Sequence, residues 1–494
     1  MKKIIYLFIF TWLVTSCDKG FEDMNVNPTT ASSIDVKYKF PTAVLYASGQ
    51  RYETWRANLI YCSTMMQHLA NVQSFWNGDK YTYSSGYAEA FWTAQYPQTI
   101  KAIEDMKTQL EEAENTASAE YAMVRILRVF AFHRMTDLYG DIPYSEAGKA
   151  YIDGNMRPAY DLQEDIYADM LKELEESAAL LGTGVSELGT ADILFGGDES
   201  KWKKWAYSLM LRLGLRMIKV DPTAAQEWAT KAIEGGVMES NDDIAYVQHE
   251  EGNGIVQNAN GETFTADDSP RMSKTFIDFL QGDPRMRIYA ALPGGNDDIT
   301  VQKGLPNGLD TATLADYEGG NDLSTYSEPN RNLITGEDAP MFFQTYAEVE
   351  FMLAECAVRW GLAGGDAASH YNAGVTAAMQ YLELYAPEAA IGNDEITDYL
   401  AANPYDATNG LEQINTQYWA ATFLNEYEAY ANWRRTGFPT LTPVNYVGNV
   451  TNGTIPRRLT YLTSESLTNG ENYAAAVASQ GPDLLTTRVW WDAE

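Results

Sequence analysis

Apolar and polar positions alternate with a helical period along most of the chain. Between Asp165 and Leu181, Ile166, Met170, Leu174, Ala178 and Leu181 share one face, while Glu173, Glu175 and Glu176 point elsewhere. That spacing predicts an amphipathic helix. A second is predicted over Tyr121–Leu138, with Val124, Leu127, Ala131 and Met135 as its buried stripe and Arg125 and Arg128 off it. Two helix starts are marked by their chemistry. Asp221-Pro222 supplies a cap and a first-turn proline, and Asp366 caps the run that follows the Gly364-Gly365 break.

Small residues on these helices suggest close pairing. Ala225, Ala229 and Ala232 fall at the spacing of the second helix of a tetratricopeptide unit, and Ala367, Tyr371 and Gly374 repeat it. Ordinary antiparallel helices would show the same pattern. Between Asn253 and Ala339 the period breaks down among Gly, Asn, Asp and Pro, which predicts a long irregular insertion. Phe264, Tyr289, Tyr317 and Tyr326 inside it argue for order. The fold expected is mainly α, with helix pairs and a loop-rich insertion. Length alone, 494 residues, would suggest about three domains, but helical arrays form one continuous core.

The N-terminus reads as an address. Lys2 and Lys3 precede an apolar run from Ile4 to Val14, followed by Thr15-Ser16-Cys17. As a helix the run spans roughly 17 Å against ~30 Å of hydrocarbon, too short to cross a membrane. The layout is that of a bacterial lipoprotein signal, with cleavage after Ser16 and acyl chains on Cys17. The expected organisation is a signal peptide at 1–16, a lipidated tether at 17–35 and one folded domain at 36–494. The lipid would be the sole membrane attachment. Cys62 and Cys356 sit in apolar helical contexts and read as small core residues, not as a disulfide or metal ligands.

A net charge of −33 repels phosphate backbones, so nucleic acid is a poor partner. Catalytic motifs are missing: the chain has no GxSxG, HExxH, phosphate loop or CxxC, and Gly252–Gly254 lacks the rest of a dinucleotide fingerprint. No cofactor or metal is expected. His68, His133, His249 and His370 stand apart, with His133 read as a surface or interhelical hydrogen-bonder among arginines. The acid pairs Asp242-Asp243, Asp267-Asp268 and Asp297-Asp298 read as solvated loop charges, and a calcium site among them is specified by no spacing. A glycosidase needs two converging carboxylates, and no pair stands out among 68 acids.

The informative constellation is aromatic. Phe75, Trp76, Tyr81, Tyr83, Tyr87, Phe91 and Trp92 are interleaved with Asn77, Asp79, Lys80, Ser84 and Ser85, and Gly78 and Gly86 suggest a loop. Flat rings beside amides and carboxylates suit a sugar-binding surface. Tyr87, Phe91 and Trp92, at helical spacing, read as core. Trp76, Tyr81 and Tyr83 are the platform candidates, with Asn77 and Asp79 bonding hydroxyls and Tyr317 and Tyr326 forming the opposite wall. Packing of the same rings into the core is the competing reading.

Five stretches, in order, carry a family resemblance: FEDMNVNP after Cys17, RVFAFHRMTDLYGDIPYSEA from Arg128, YAEVEFMLAECAVR, NEYEAYANWRRTGFPTL, and IPRRLTYLTSESLTNGENYAAAV with a late VWWD. The chain resembles the SusD/RagB family of nutrient-binding outer-membrane lipoproteins from Cys17 onward. Leu462 after Tyr461 departs from the proline common in relatives. The resemblance implies an α-rich fold with four tetratricopeptide-like pairs, surface exposure, and a lid-like role over a SusC-type TonB-dependent transporter. It implies a non-catalytic protein that hands over glycan fragments. Peptide binding is the alternative within the same architecture, and a secreted glycoside hydrolase the remote one. No sugar-contacting residue transfers by motif.

Overall fold

The computed structural model describes residues 34–494. The expected signal, Cys17 and the tether up to residue 33 lie outside them. Helix α1 (Val36–Ser48) starts where the Asp35 carboxylate accepts the Lys37 amide at 2.9 Å. A short helical turn, α2 (Arg51–Glu53), runs directly into a π-helix, Thr54–Ser63, and α3 (Ala90–Gln95) packs against both. The scaffold then proceeds through α4 (Lys101–Glu112), which packs on α1, and α5 (Ala119–Tyr139), α6 (Gln163–Leu180), α7 (Glu199–Arg216) and α8 (Pro222–Gly235), each of these four packed on the one before. After the insertion, which contains α9 (Ala259–Ala266), come α10 (Tyr346–Trp360), α11 (Ala367–Gln380), α12 (Gly410–Ala421) and α13 (Glu426–Thr436). The molecule is mainly helical, as its periodicity predicts.

Close approach explains the small-residue spacing. A Cβ on Gly214 would sit 3.1 Å from Trp228 Cβ and 3.5 Å from the Ala229 amide, so α7 and α8 nearly touch there. A Cβ on Gly374 would meet the Phe351 ring at 2.6 Å, which sets the α10–α11 distance. Asp221 and Asp366 cap as expected, accepting the amides of Ala224 and Ser369 at 2.9 Å.

The insertion is held at its base by an antiparallel pair, β1 (Ala245–Gln248) with β2 (Pro340–Gln344). It also has a small core of its own. Leu305, Leu314 and Tyr326 bury themselves against Ala70 and Val72.

Three charged-residue readings are corrected. Glu173 turns inward, where Arg128 donates to it at 2.8 Å, because a buried guanidinium needs a carboxylate. Asp243 and Asp267 are buried as acceptors, the first for the Lys204 ammonium at 3.0 Å and the second for Trp76, while Asp242, Asp268, Asp297 and Asp298 are exposed. His133 is buried with Nδ1 unpartnered, and burial beside Arg212 and Arg134 keeps it well below the usual imidazole range. Cys62 and Cys356 are free and buried.

Candidate functional site

The sequence-selected rings come together with the insertion, but as packing. Trp76 is 0% exposed and its indole Nε1 donates to Asp267 at 3.0 Å. Tyr81 is buried, and its hydroxyl accepts the Val444 amide at 3.1 Å. Asp79 is buried against Lys80 at 3.0 Å and accepts the Gly308 amide at 3.2 Å. Tyr326 is buried with its hydroxyl on the Gly320 carbonyl at 2.6 Å, and Tyr317 packs beside it. None of Trp76, Tyr81 or Tyr326 offers a ring face to a ligand. The reason is Gly78: a Cβ there would lie 2.1 Å from the Ile60 carbonyl oxygen, so the glycine lets this segment dock on the π-helix. Asn77 is half-buried and donates to Thr82 Oγ1 at 2.8 Å. Of Trp76, Tyr81, Tyr83 and Tyr326, Tyr83 alone, 46% exposed, keeps an open ring. Phe91 and Trp92 are core, as expected, and Tyr87 is half-buried.

An open cleft lies nearby, with a volume of about 540 Å³. That falls in the range of small-ligand sites. Gln50, Arg51, Tyr52, Glu53 and Arg56 form one wall, Glu89, Thr93 and Gln98 a second, and Gly254, Ile255 and Glu262 a third. The insertion is therefore a wall of this cleft through other residues than Tyr317 and Tyr326.

The cleft's most exposed ring is Tyr52, 58% accessible. Arg51 and Arg56 hold their guanidinium carbons 5.5 and 5.2 Å from its centroid, and Arg56 lies 5.4 Å from the Tyr87 ring as well. On the next turn Trp55 meets Phe75 edge to face at 6.1 Å, and Phe75 is 37% exposed. Rings pinned by neighbours lose little entropy on binding, and guanidinium groups donate to carbonyl and hydroxyl oxygens.

Beneath them, Glu53 is buried. Its Oε1 accepts the Gln95 amide nitrogen at 2.6 Å and the Gln50 backbone N–H at 3.1 Å, while Oε2 has no partner. Burial pushes this carboxyl up to about 8, against the opposing pull of Gln95, Gln50 and Arg134. Glu262 is also pushed up by burial, with Arg51 opposing.

Sequence reasoning passed over this wall. The signal was RYETWR, in which Arg51 and Trp55, and Tyr52 and Arg56, are four apart and so stack along one helical face.

A family model described as SusD-like, starch-binding and associating with the outer membrane, matches residues 37–462. The chain belongs to this SusD-like family. It is a family of binding proteins, not catalysts. Among solved structures, a chitin-binding protein is similar at 33% identity over 93% of this chain and 100% of its own, with a TM-score of 0.84. A SusD-like protein of Bacteroidetes AC2a follows at 27% identity, 93% and 100% coverage and TM-score 0.81. A chitin-binding SusD homologue from Flavobacterium johnsoniae shares 25% identity over 93% and 99%, with a TM-score of 0.78. No curated protein matches the sequence. These likenesses agree with the SusD-type resemblance read from the five sequence stretches. Among the described residues no helix is long and apolar enough to cross a membrane, and no group of three or more His, Cys, Asp and Glu could hold a metal.

Proposed function

We propose that this SusD-like chain is a surface lipoprotein that binds chitin-type oligosaccharides in the Tyr52 cleft and passes them to a SusC-type transporter. The carrying observation is the cleft itself: an exposed ring flanked by two guanidinium groups, with amides and carboxylates around it. A sugar's apolar face stacks on Tyr52, and its acetamido carbonyl and hydroxyls find donors in Arg51, Arg56, Gln50 and Gln98. Two relatives whose names state chitin binding support that ligand class. Attachment through Cys17 and one folded domain beginning near Val36 belong to the same reading.

The test is calorimetry with the N-acetylglucosamine tetramer beside maltotetraose and a mixed peptide library. Saturable binding of the first, weakened in Arg56→Ala, supports the proposal. Preference for maltotetraose would redirect it to starch-type glycans. Peptide binding has one observation in its favour, the charges of both signs around the cleft (Arg56, Glu89 and Glu262), and the library would reveal it.

A further inference from the structure

The Glu53 carboxyl is an odd component for a packed cleft wall. One oxygen is fully used and the other is buried with no donor. A neutral acid tolerates that position. An ionised one leaves a buried charge that only the two donors on Oε1 and the Arg134 charge offset, with Oε2 unpartnered.

The two bonds that Glu53 makes are also those that fix the cleft's edge. Its Oε1 joins the Gln50 N–H, at the start of the turn that carries Arg51 and Tyr52, to Gln95 on α3. Gln95 in turn donates to the Tyr46 carbonyl at 3.2 Å on α1, and the Gln50 side chain donates to Gln98 at 2.5 Å. The desolvation cost of the ionised form is relieved when Glu53 leaves this seat. Both ties then go, and the Arg51–Tyr52 turn loses its anchor. Resting on the proposed cleft, we propose that Glu53 is a positioning residue that holds the Tyr52 edge in its binding shape only while protonated, so that ligand is held at neutral pH and released in alkali.

The surrounding groups leave Glu53 as the switch. From α5 it faces Arg134 and Tyr139, and from α13 Tyr427, while Arg51, Arg56, Glu89 and Glu262 share its cleft. Burial drives both tyrosines well above the ordinary phenol range, and it lowers Arg134 only to about 10. With the Glu53 carboxyl titrating near 8, affinity at pH 9 should fall about tenfold below that at pH 7.

The experiment measures affinity for the N-acetylglucosamine tetramer by calorimetry from pH 6 to 9, in the wild type and Glu53→Gln. The wild type should weaken about tenfold between pH 7 and pH 9, and Glu53→Gln should flatten the profile. Binding that stays constant with pH overturns the inference and leaves the cleft reading intact. A pH dependence that persists in Glu53→Gln also overturns it, and assigns the effect to Glu262. Absence of binding at every pH rejects the cleft reading and this inference with it. Should the variant fold poorly, the wild type's infrared band for a protonated carboxyl must disappear between pH 7 and 9. Its absence at pH 7 overturns the inference without any variant.

Discussion

Arg216 on α7 donates to Glu428 on α13 at 2.5 Å, deep in the molecule and far apart in sequence. The same guanidinium meets Asp137 on α5 at 3.3 Å, and Glu428 also accepts the Tyr418 hydroxyl of α12 at 2.8 Å. Three helices thus meet at one buried carboxylate, and Arg216 ties in α5 as a fourth. Removing one partner of such a pair leaves an uncompensated charge, at a cost of about 3–5 kcal/mol. Glu428→Ala should lose that much stability in chemical denaturation, and Arg216→Met a similar amount. A loss below about 1 kcal/mol would remove this network from the account of the fold.

The buried carboxylates divide by pH. Burial alone would raise Glu428 and Glu355, but Arg216 and Arg212 bring the first to about 2, and Arg435 and Arg359 do the same for the second. A depressed acid contributes stability that is full above its unfolded value, about 4.5, and is lost as pH falls toward 2. Glu53 has the opposite sign, contributing most below about 4.5 and losing it as pH rises through 8. Melting temperature should therefore decline on both sides of about pH 4.5, toward acid from the paired carboxylates and between about 4.5 and 8 from Glu53, whose share levels off above 8. Glu53→Gln should remove part of the decline between about 4.5 and 8 alone.

Gly78 and Trp76 give the packing prediction. Alanine usually stabilises a helical position over glycine by about 1 kcal/mol. At Gly78 it should do the reverse, because the new Cβ would strike the Ile60 carbonyl and come within 2.8 Å of Tyr61 Cα, both backbone. Trp76→Ala should cost about 3–5 kcal/mol and strand the Asp267 carboxylate. Thermal melts check both. An unchanged melting temperature in Trp76→Ala would restore the surface-platform reading.

The contrast between Trp76 and Tyr52 shows what a sequence displays. Helix periodicity, caps and small-residue spacing are local, so α5, α6, α8 and α11 were legible, as was the irregular insertion. Whether a ring points out depends on what packs over it. Gly78 looked like loop freedom beside Trp76, but it serves a backbone contact with a helix some eighteen residues earlier. Tyr52 looked like one aromatic among 32 tyrosines, and nothing local says that α3 and the insertion leave it uncovered. The buried Glu173, Asp243 and Asp267 failed for the same reason: their partners are remote.

Tyr52 separates binding from stability. With its ring largely exposed, Tyr52→Ala should leave the melting temperature nearly unchanged, losing only cation–π contacts worth about 0.5–1 kcal/mol at an exposed site. A central aromatic anchor costs 2 kcal/mol or more on truncation, roughly a thirtyfold loss of affinity. Calorimetry with the N-acetylglucosamine tetramer reads the second effect and a melt the first. Full affinity in Tyr52→Ala would move the site away from this cleft.

The last prediction concerns attachment and delivery. The family associates with the outer membrane, and the proposed anchor is acyl chains on Cys17, each buried CH₂ contributing about 0.8 kcal/mol. Cys17→Ala should therefore take up no labelled palmitate and partition with the soluble fraction when expressed without a transporter. Docking to a transporter is a separate matter of the folded body. A permanent interface would bury above about 2,000 Å², which does not depend on lipid. Gently solubilised wild type should then co-purify with a large β-barrel, and Cys17→Ala should still do so when the two are co-expressed. Palmitate uptake by Cys17→Ala would sink the anchor assignment. Recovery of both proteins only as free monomers would sink the delivery role, while leaving the glycan-binding cleft to be judged on its own ligand.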